Sequence, residues 1–252
     1  TTAPTRLHKP GLFSISPTIE ACGADFCDTL ADPRVLKSHL NFDGIARDGG
    51  AKYILVVRNP KDTVVNSYFF CKNTSDFRYG DGTLEEFIPY YLEGTVGNKK
   101  QFEDMVTNPE LQFEDMVTNP EEQLYSGIYF SHLRSWLEAA KAGKEDILIV
   151  KFEDMVTNPE EQVRRVGAFL GGKVAEVVSD PDSVKQIVHA STLTEMKKKQ
   201  HRWVPNGFMR NEATFIRSGG VGKWLEHLSK EMSDRIDKVF AAELAGTEAV
   251  DW

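Results

Sequence analysis

At 252 residues the chain is long enough to bury a sizeable core, and it fits one large α/β domain or two small ones. An apolar content of 40% and a charged content of 27% are ordinary for a globular protein. The net charge of −8 argues against a general nucleic-acid or membrane-surface binder, so any anion site has to be a local basic pocket in an acidic protein.

Residues 1–35 are irregular in pattern, interrupted by Pro4, Pro10 and Pro17, with a short helix expected over 18–30. Val35-Leu36 then leads into Lys37-Ser38-His39-Leu40, which reads as a strand end. An imidazole ordinarily titrates near neutrality, so His39 suits a general base, although a lone histidine is more often structural. The next segment is the most informative. Tyr53 to Val57 is a continuous apolar run rich in β-branched residues, the pattern of a strand covered on both faces in a parallel sheet. Arg58-Asn59-Pro60 ends it, and Lys61-Asp62-Thr63 opens an aromatic helix with Asp62 or Thr63 as the expected cap. Arg58 at the carboxyl end of such a strand lies where open α/β sheets bind ligands, and its fork suits a phosphate or sulfate. Pairing with a nearby carboxylate is the other reading of the same residue.

A polar loop over 73–82 is followed by the capping box Thr83-Leu84-Glu85-Glu86 and a helix to about Leu92. Residues 102–112 and 113–123 then read FEDMVTNPELQ and FEDMVTNPEEQ, and 152–162 reads FEDMVTNPEEQ again. Solenoid repeats diverge and keep an even period, so these copies are not a repeat fold. Only the third has context: it follows the buried-strand pattern DILIVK at 146–151, and Pro159 suits the first position of a helix ending at Gly171-Gly172. The early copies are expected to form an irregular insertion over 98–123 without chemistry of its own. Helical spacing over 124–142 places Ile128, Leu133, Trp136 and Leu137 on one face. Short helices are expected over 182–189 and 191–199, where Lys197-Lys198-Lys199 reads as a solvated face, and a final amphipathic helix over 228–245. Between them, Phe215-Ile216-Arg217-Ser218-Gly219-Gly220-Val221-Gly222 is a second anion candidate, because glycines let backbone N–H groups converge on an oxyanion. A flexible loop is the bland alternative, and no Lys-Ser/Thr pair follows the glycines as a Walker loop requires.

In order along the chain, Arg34-Val35-Leu36-Lys37-Ser38-His39-Leu40, Arg58-Asn59-Pro60-Lys61-Asp62, Phe152-Glu153-Asp154-Met155, Glu195-Met196-Lys197 and Arg217-Ser218-Gly219-Gly220-Val221-Gly222 together resemble the cytosolic sulfotransferases over roughly 30–245. The resemblance implies an α/β fold in a single domain spanning 1–252, with a central parallel sheet flanked by helices and related to P-loop kinases. It implies transfer of a sulfuryl group from 3′-phosphoadenosine 5′-phosphosulfate (PAPS) to a small phenol, alcohol or amine, leaving adenosine 3′,5′-bisphosphate (PAP). By the same resemblance, His39 removes the acceptor proton, Lys37 neutralises developing charge, and Arg58 with Arg217, Ser218 and Gly219 holds the 3′-phosphate. The family serine eight positions after the arginine falls on Asn66, with Ser67 next to it, and a family lysine is replaced at Ser218. Phe152, Ser191, Leu193 and Phe215 take cofactor-side positions, Phe152 lacking the hydroxyl of the family tyrosine and Leu193 replacing an aromatic. Tyr129 and Phe130 fall in a region bordering the acceptor pocket in relatives. The family's Lys-Ser-Gly-Thr-Thr-Trp phosphosulfate loop is not in this sequence, which starts at Thr1 without Met and is expected either to be N-terminally truncated or to bind the cofactor poorly. A non-catalytic PAP- or PAPS-binding relative is the alternative function. Three cysteines without metal-ligand spacing point to a reducing, cytoplasmic setting, and no metal, nucleic-acid or membrane partner is expected, with a homodimer left open.

Overall fold

The computed structural model describes residues 15–45, 47, 50–74, 79, 81–94, 129–144, 146–202, 209 and 215–247. The expected repeat insertion at 98–123, with its two early copies, lies outside them, as does the start of the helix expected from 124.

Two parallel strands, β1 (Lys52–Val57) and β2 (Asp146–Lys151), pair in register from Lys52 opposite Asp146 to Val57 opposite Lys151. Equal register has a direct consequence: the residues that follow the two strands, Arg58 and Phe152, emerge side by side at the same edge. The expectation of a strand covered on both faces is corrected. Leu55 and Val57 are buried, whereas Ile54 is 38% and Val56 57% exposed, so among the described residues β1 alternates in the manner of a half-covered strand.

Helix α1 (Ile19–Cys22) and α2 (Ala24–Asp28) replace the single helix expected over 18–30, the break falling at Gly23. Residues 35–40 form no strand; Val35 is exposed, and one parallel bridge joins Lys37 to Thr18 through Ile19 N–H to Lys37 O (2.9 Å) and Lys37 N–H to Pro17 O (2.9 Å). Helix α3 (Pro60–Asn73) starts earlier than expected. Its cap is Asn59, whose side chain accepts from Lys61 N–H at 2.9 Å, rather than Asp62 or Thr63, and Pro60 occupies the first turn where its missing N–H costs nothing. Helix α4 (Leu84–Leu92) carries the full Thr83/Glu86 capping box.

Helix α5 (Tyr129–Lys141) joins two apolar clusters. Its Phe130 packs with Val64, Val65 and Tyr68 of α3, Phe87 and Tyr91 of α4, and Ile236 of α11 (Lys230–Glu243). Its Leu133, Trp136 and Leu137 pack on Leu55 and Val57 of β1 with Phe42. Each such side chain contributes about 1.5–3 kcal/mol on burial, which makes α5 the element that fixes the helical layer on the sheet.

After β2 come α6 (Phe152–Thr157), α7 (Pro159–Leu170), α8 (Gly172–Ser179), α9 (Pro181–Ala190) and α10 (Leu193–Lys198). Gly167 lets α7 and α8 approach closely: a β-carbon there would lie 2.3 Å from Val178 Cγ2. Lys52 closes the end of α7 by donating to the Phe169 and Leu170 carbonyls (2.7 and 3.2 Å), two acceptors left over by the helix.

Candidate active site

The Arg-Asn-Pro-Lys-Asp segment assigns a different task to each of its polar side chains. Asn59 caps α3, and its own N–H donates to Glu153 Oε1 at 3.0 Å, tying the ends of β1 and β2 together. Lys61 reaches α11, donating to Asp237 Oδ2 (2.9 Å) and Ser233 Oγ (3.3 Å) while lying 4.2 Å from the Trp224 ring. Asp62 is buried and accepts from Gly222 N–H (2.7 Å) and Trp224 N–H (2.9 Å), which draws the glycine-rich segment onto the start of α3. Arg58 is left to face that segment: its Nη2 donates to Gly220 O at 3.1 Å and its guanidinium stacks 4.3 Å from the Phe152 ring. The Arg58 carbonyl accepts from the Tyr129 hydroxyl at 2.6 Å.

Arg217 comes from the other side. Its guanidinium lies 4.2 Å from the ring of Phe69 on α3. Burial, and then the positive charge of Arg58, pushes Arg217 below the usual guanidinium range, with Asp62 and Glu226 pulling the other way. Two cations 159 positions apart in sequence are therefore close enough to repel. In both, Nε is buried and takes no hydrogen-bond partner among the described residues. Stacking occupies the flat faces of the two guanidinium groups and leaves N–H edges, which is the geometry that receives an oxyanion. A phosphate supplies what this pair lacks, in both charge and acceptors.

The remaining predicted positions lie on the glycine segment, on α3 and at the ends of α9 and α10. Gly219 adopts φ +58°, and a β-carbon there would sit 3.2 Å from Leu193 Cδ1, so Leu193 borders the glycine segment. Ser218 is half-buried in the same segment, and Phe215 packs edge-on to Phe70 at 6.2 Å. Ser191 is exposed at the end of α9. On α3 the neighbours Asn66 and Ser67 separate: Ser67 hydrogen-bonds the buried Tyr91 hydroxyl, whereas Asn66 is exposed. Phe130, expected near an acceptor pocket, is instead fully buried in the core between α3 and α11.

His39 and Lys37 lie in the bridged segment beside α1. Glu20 Oε1 accepts from the His39 backbone N–H and from Ser38 Oγ (2.9 Å), and lies 3.7 Å from His39 Nδ1. Burial opposes ionisation of Glu20, but the hydrogen bonds from His39 and Ser38 outweigh it and bring the carboxyl down to about 2. Desolvation lowers the Lys37 ammonium, and Glu20 opposes that shift. His132 of α5 is held below its ordinary range by burial and then by the charge of His39. His132 and Tyr129 are three residues apart on α5, hence neighbours on one face. Through that single turn the imidazole cluster is joined to the carboxyl end of β1, where Tyr129 holds the Arg58 carbonyl.

The sulfotransferase domain model matches residues 4–248. The chain belongs to the sulfotransferase domain family. Among relatives of this sulfotransferase, the 3-beta-hydroxysteroid sulfotransferase of Cavia porcellus is 25% identical over 96% of this chain and 75% of its own length. The amine sulfotransferase of Oryctolagus cuniculus is 28% identical over 84% of this chain and 62% of its own. Two solved structures share the fold: mouse sulfotransferase SULT7A1 complexed with PAP (TM-score 0.65, 21% identity, 87% of this chain and 68% of that one) and retinol dehydratase with androsterone and inactive cofactor PAP (TM-score 0.67, 15% identity, 90% and 58%). The sequence pointed to Arg58 and Arg217 as cations and to Tyr129 near an acceptor pocket, but not to the contact of Tyr129 with the Arg58 carbonyl or to those of Asp62, Glu153 and Glu20. Asp62 and Glu153 stood inside the quoted motifs, yet their partners are residues of other elements.

Proposed function

We propose that this sulfotransferase moves the sulfuryl group of PAPS to a hydroxyl or amine of a small acceptor, with the 3′-phosphate of the donor between Arg58 and Arg217. The observation that carries this reading is the pair of mutually repelling guanidinium groups whose buried Nε atoms have no partner among the described residues. Asn66 completes that pocket. It is one helical turn from Asp62, which holds the glycine segment, and one turn from Phe69, on which Arg217 stacks, so it lies on the phosphate side of α3. Ser67 is turned to Tyr91 and takes no part. Phe152, Ser191, Leu193 and Phe215 flank the nucleoside, and Ser218 and Gly219 offer the backbone of the glycine segment.

The donor supplies an electrophilic sulfur with a phosphate as leaving group. The acceptor oxygen or nitrogen forms a bond to sulfur as the sulfur–oxygen bond to the phosphate breaks. His39 takes the acceptor proton, which keeps the nucleophile from emerging as a cation. Lys37 neutralises charge growing on the transferred and leaving oxygens. The names of the relatives, a steroid and an amine enzyme among them, are consistent with a hydroxyl or amine acceptor. The test is incubation with labelled donor and a panel of phenols, steroids and amines. Transfer that disappears in His39→Ala is the expected result; absence of transfer above that control overturns the enzymatic reading. The sequence contains no Lys-Ser-Gly-Thr-Thr-Trp segment. Nucleotide binding through the two arginines without turnover in this assay would support the alternative, a PAP- or PAPS-binding protein.

A further inference from the structure

We propose that Glu20 is a positioning residue for His39, holding the imidazole with its proton on Nδ1 so that Nε2 is the nitrogen that accepts the acceptor proton. The inference rests on the proposed role of His39 as base and goes beyond it. Two donors converge on one carboxylate oxygen, and a ring nitrogen faces it. Ser38 Oγ lies 2.9 Å from Glu20 Oε1, the His39 backbone N–H donates to the same atom, and His39 Nδ1 faces it at 3.7 Å. A carboxylate that accepts from the backbone of one residue while facing one nitrogen of its ring fixes where that residue sits and favours hydrogen on the nitrogen it faces. At 3.7 Å the ring contact is electrostatic, and it needs only a small rotation of the imidazole to become a hydrogen bond, the usual slack of such pairs without substrate.

Glu20 is built for this task by its own surroundings. The hydrogen bonds that hold it ionised outweigh the burial that opposes its charge. The backbone bridge between Thr18 and Lys37 aligns the first turn of α1 with the 37–39 segment, so the carboxylate is delivered by main-chain geometry. Among the described residues, the charged and titratable groups of this cluster are Glu20 on α1, which faces His39 Nδ1, His132 on α5, which the charge of His39 lowers, and Lys37, which interacts with Glu20. Lys37 and His132 are both lowered, burial being the first cause in each. Glu20 is then the anion of the cluster, and it faces Nδ1 rather than Nε2.

The experiment compares the protein with Glu20→Gln and Glu20→Leu. Two readouts are used: long-range nitrogen–proton NMR of His39, which reports which ring nitrogen is protonated, and steady-state transfer kinetics. Gln keeps an acceptor where Oε1 stands; Leu removes it, while the two backbone bonds to Lys37 and Pro17 retain the segment. The expected result is a Nδ1–H ring in the native protein and in Glu20→Gln, and a mixed tautomer in Glu20→Leu. The maximal rate falls about tenfold in Gln and about a hundredfold in Leu, within the range that general-base catalysis supplies, with KM for the acceptor and affinity for PAP unchanged. A native tautomer and native rate in Glu20→Leu overturn the inference, as does a loss confined to PAP affinity. A tautomer that follows Glu20 in a protein that transfers no sulfuryl group supports the positioning and overturns the enzymatic reading instead.

Discussion

Two partly buried cations whose charges repel favour an anion between them. Arg58 and Arg217 are in that position, each stacked on an aromatic ring and each with a buried N–H lacking an acceptor among the described residues. Each hydrogen bond from such a donor to a phosphate is worth roughly 1.5–3 kcal/mol. Arg58→Ala or Arg217→Ala is therefore expected to weaken PAP about 10- to 100-fold, measured by calorimetric titration. The apo protein should gain thermal stability steeply with added PAP, about 2.7 kcal/mol at a hundredfold excess over the dissociation constant. Glu20 makes a second prediction at this scale. Its carboxyl is lowered from 4.5 to about 2 in the folded protein. A depressed acid stabilises the fold above its unfolded value and loses that contribution as pH falls from about 4.5 through about 2. A shift of this size corresponds to about 3 kcal/mol, which screening at a partly exposed side chain reduces to roughly 1–2 kcal/mol. Urea unfolding at pH 3 and pH 6 should show Glu20→Gln losing less stability on acidification than the native protein by about 1 kcal/mol, because at pH 3 part of the contribution is still present.

At the scale of elements, one buried carboxylate connects α3 to the glycine segment. Asp62 accepts from Gly222 and Trp224, 160 and 162 residues further on, and no local pattern announces partners that distant. This is why Asp62 reads as a helix cap in the sequence and is an anchor in the fold. Asp62→Ala removes two charge-assisted bonds and is expected to destabilise the protein by about 2–4 kcal/mol and to weaken PAP, although Asp62 is assigned no contact with it. Chemical denaturation and titration of the same variant check both effects. Contact between α7 and α8 gives a prediction free of the site. Gly167→Ala places a methyl group on Val178 and should cost about 1–3 kcal/mol, recovered in part by Val178→Ala in the double variant. The parallel pair, the capping box of α4 and the Pro-initiated start of α7 were legible in sequence because they rest on local propensity. The one-sided cover of β1, the break at Gly23 and the isolated bridge at Lys37 were not, because they depend on which surfaces meet.

Across the whole molecule, α5 is the element that makes a site out of separate loops. Its apolar faces join the two clusters of the core, and one polar turn carries both His132, beside His39, and Tyr129, on the Arg58 carbonyl. The order of motifs along the sequence indicated that these segments belong together; the reason they converge is the burial of α5, which motif order does not contain. The most direct measurement compares PAP with adenosine 5′-monophosphate, identical but for the 3′-phosphate, by titration of the native protein and Arg58→Ala. The expected result is that the native protein prefers PAP by about a hundredfold or more and that Arg58→Ala loses most of this preference. Equal affinity for the two nucleotides in the native protein, or a preference untouched by Arg58→Ala, would contradict a 3′-phosphate site between Arg58 and Arg217.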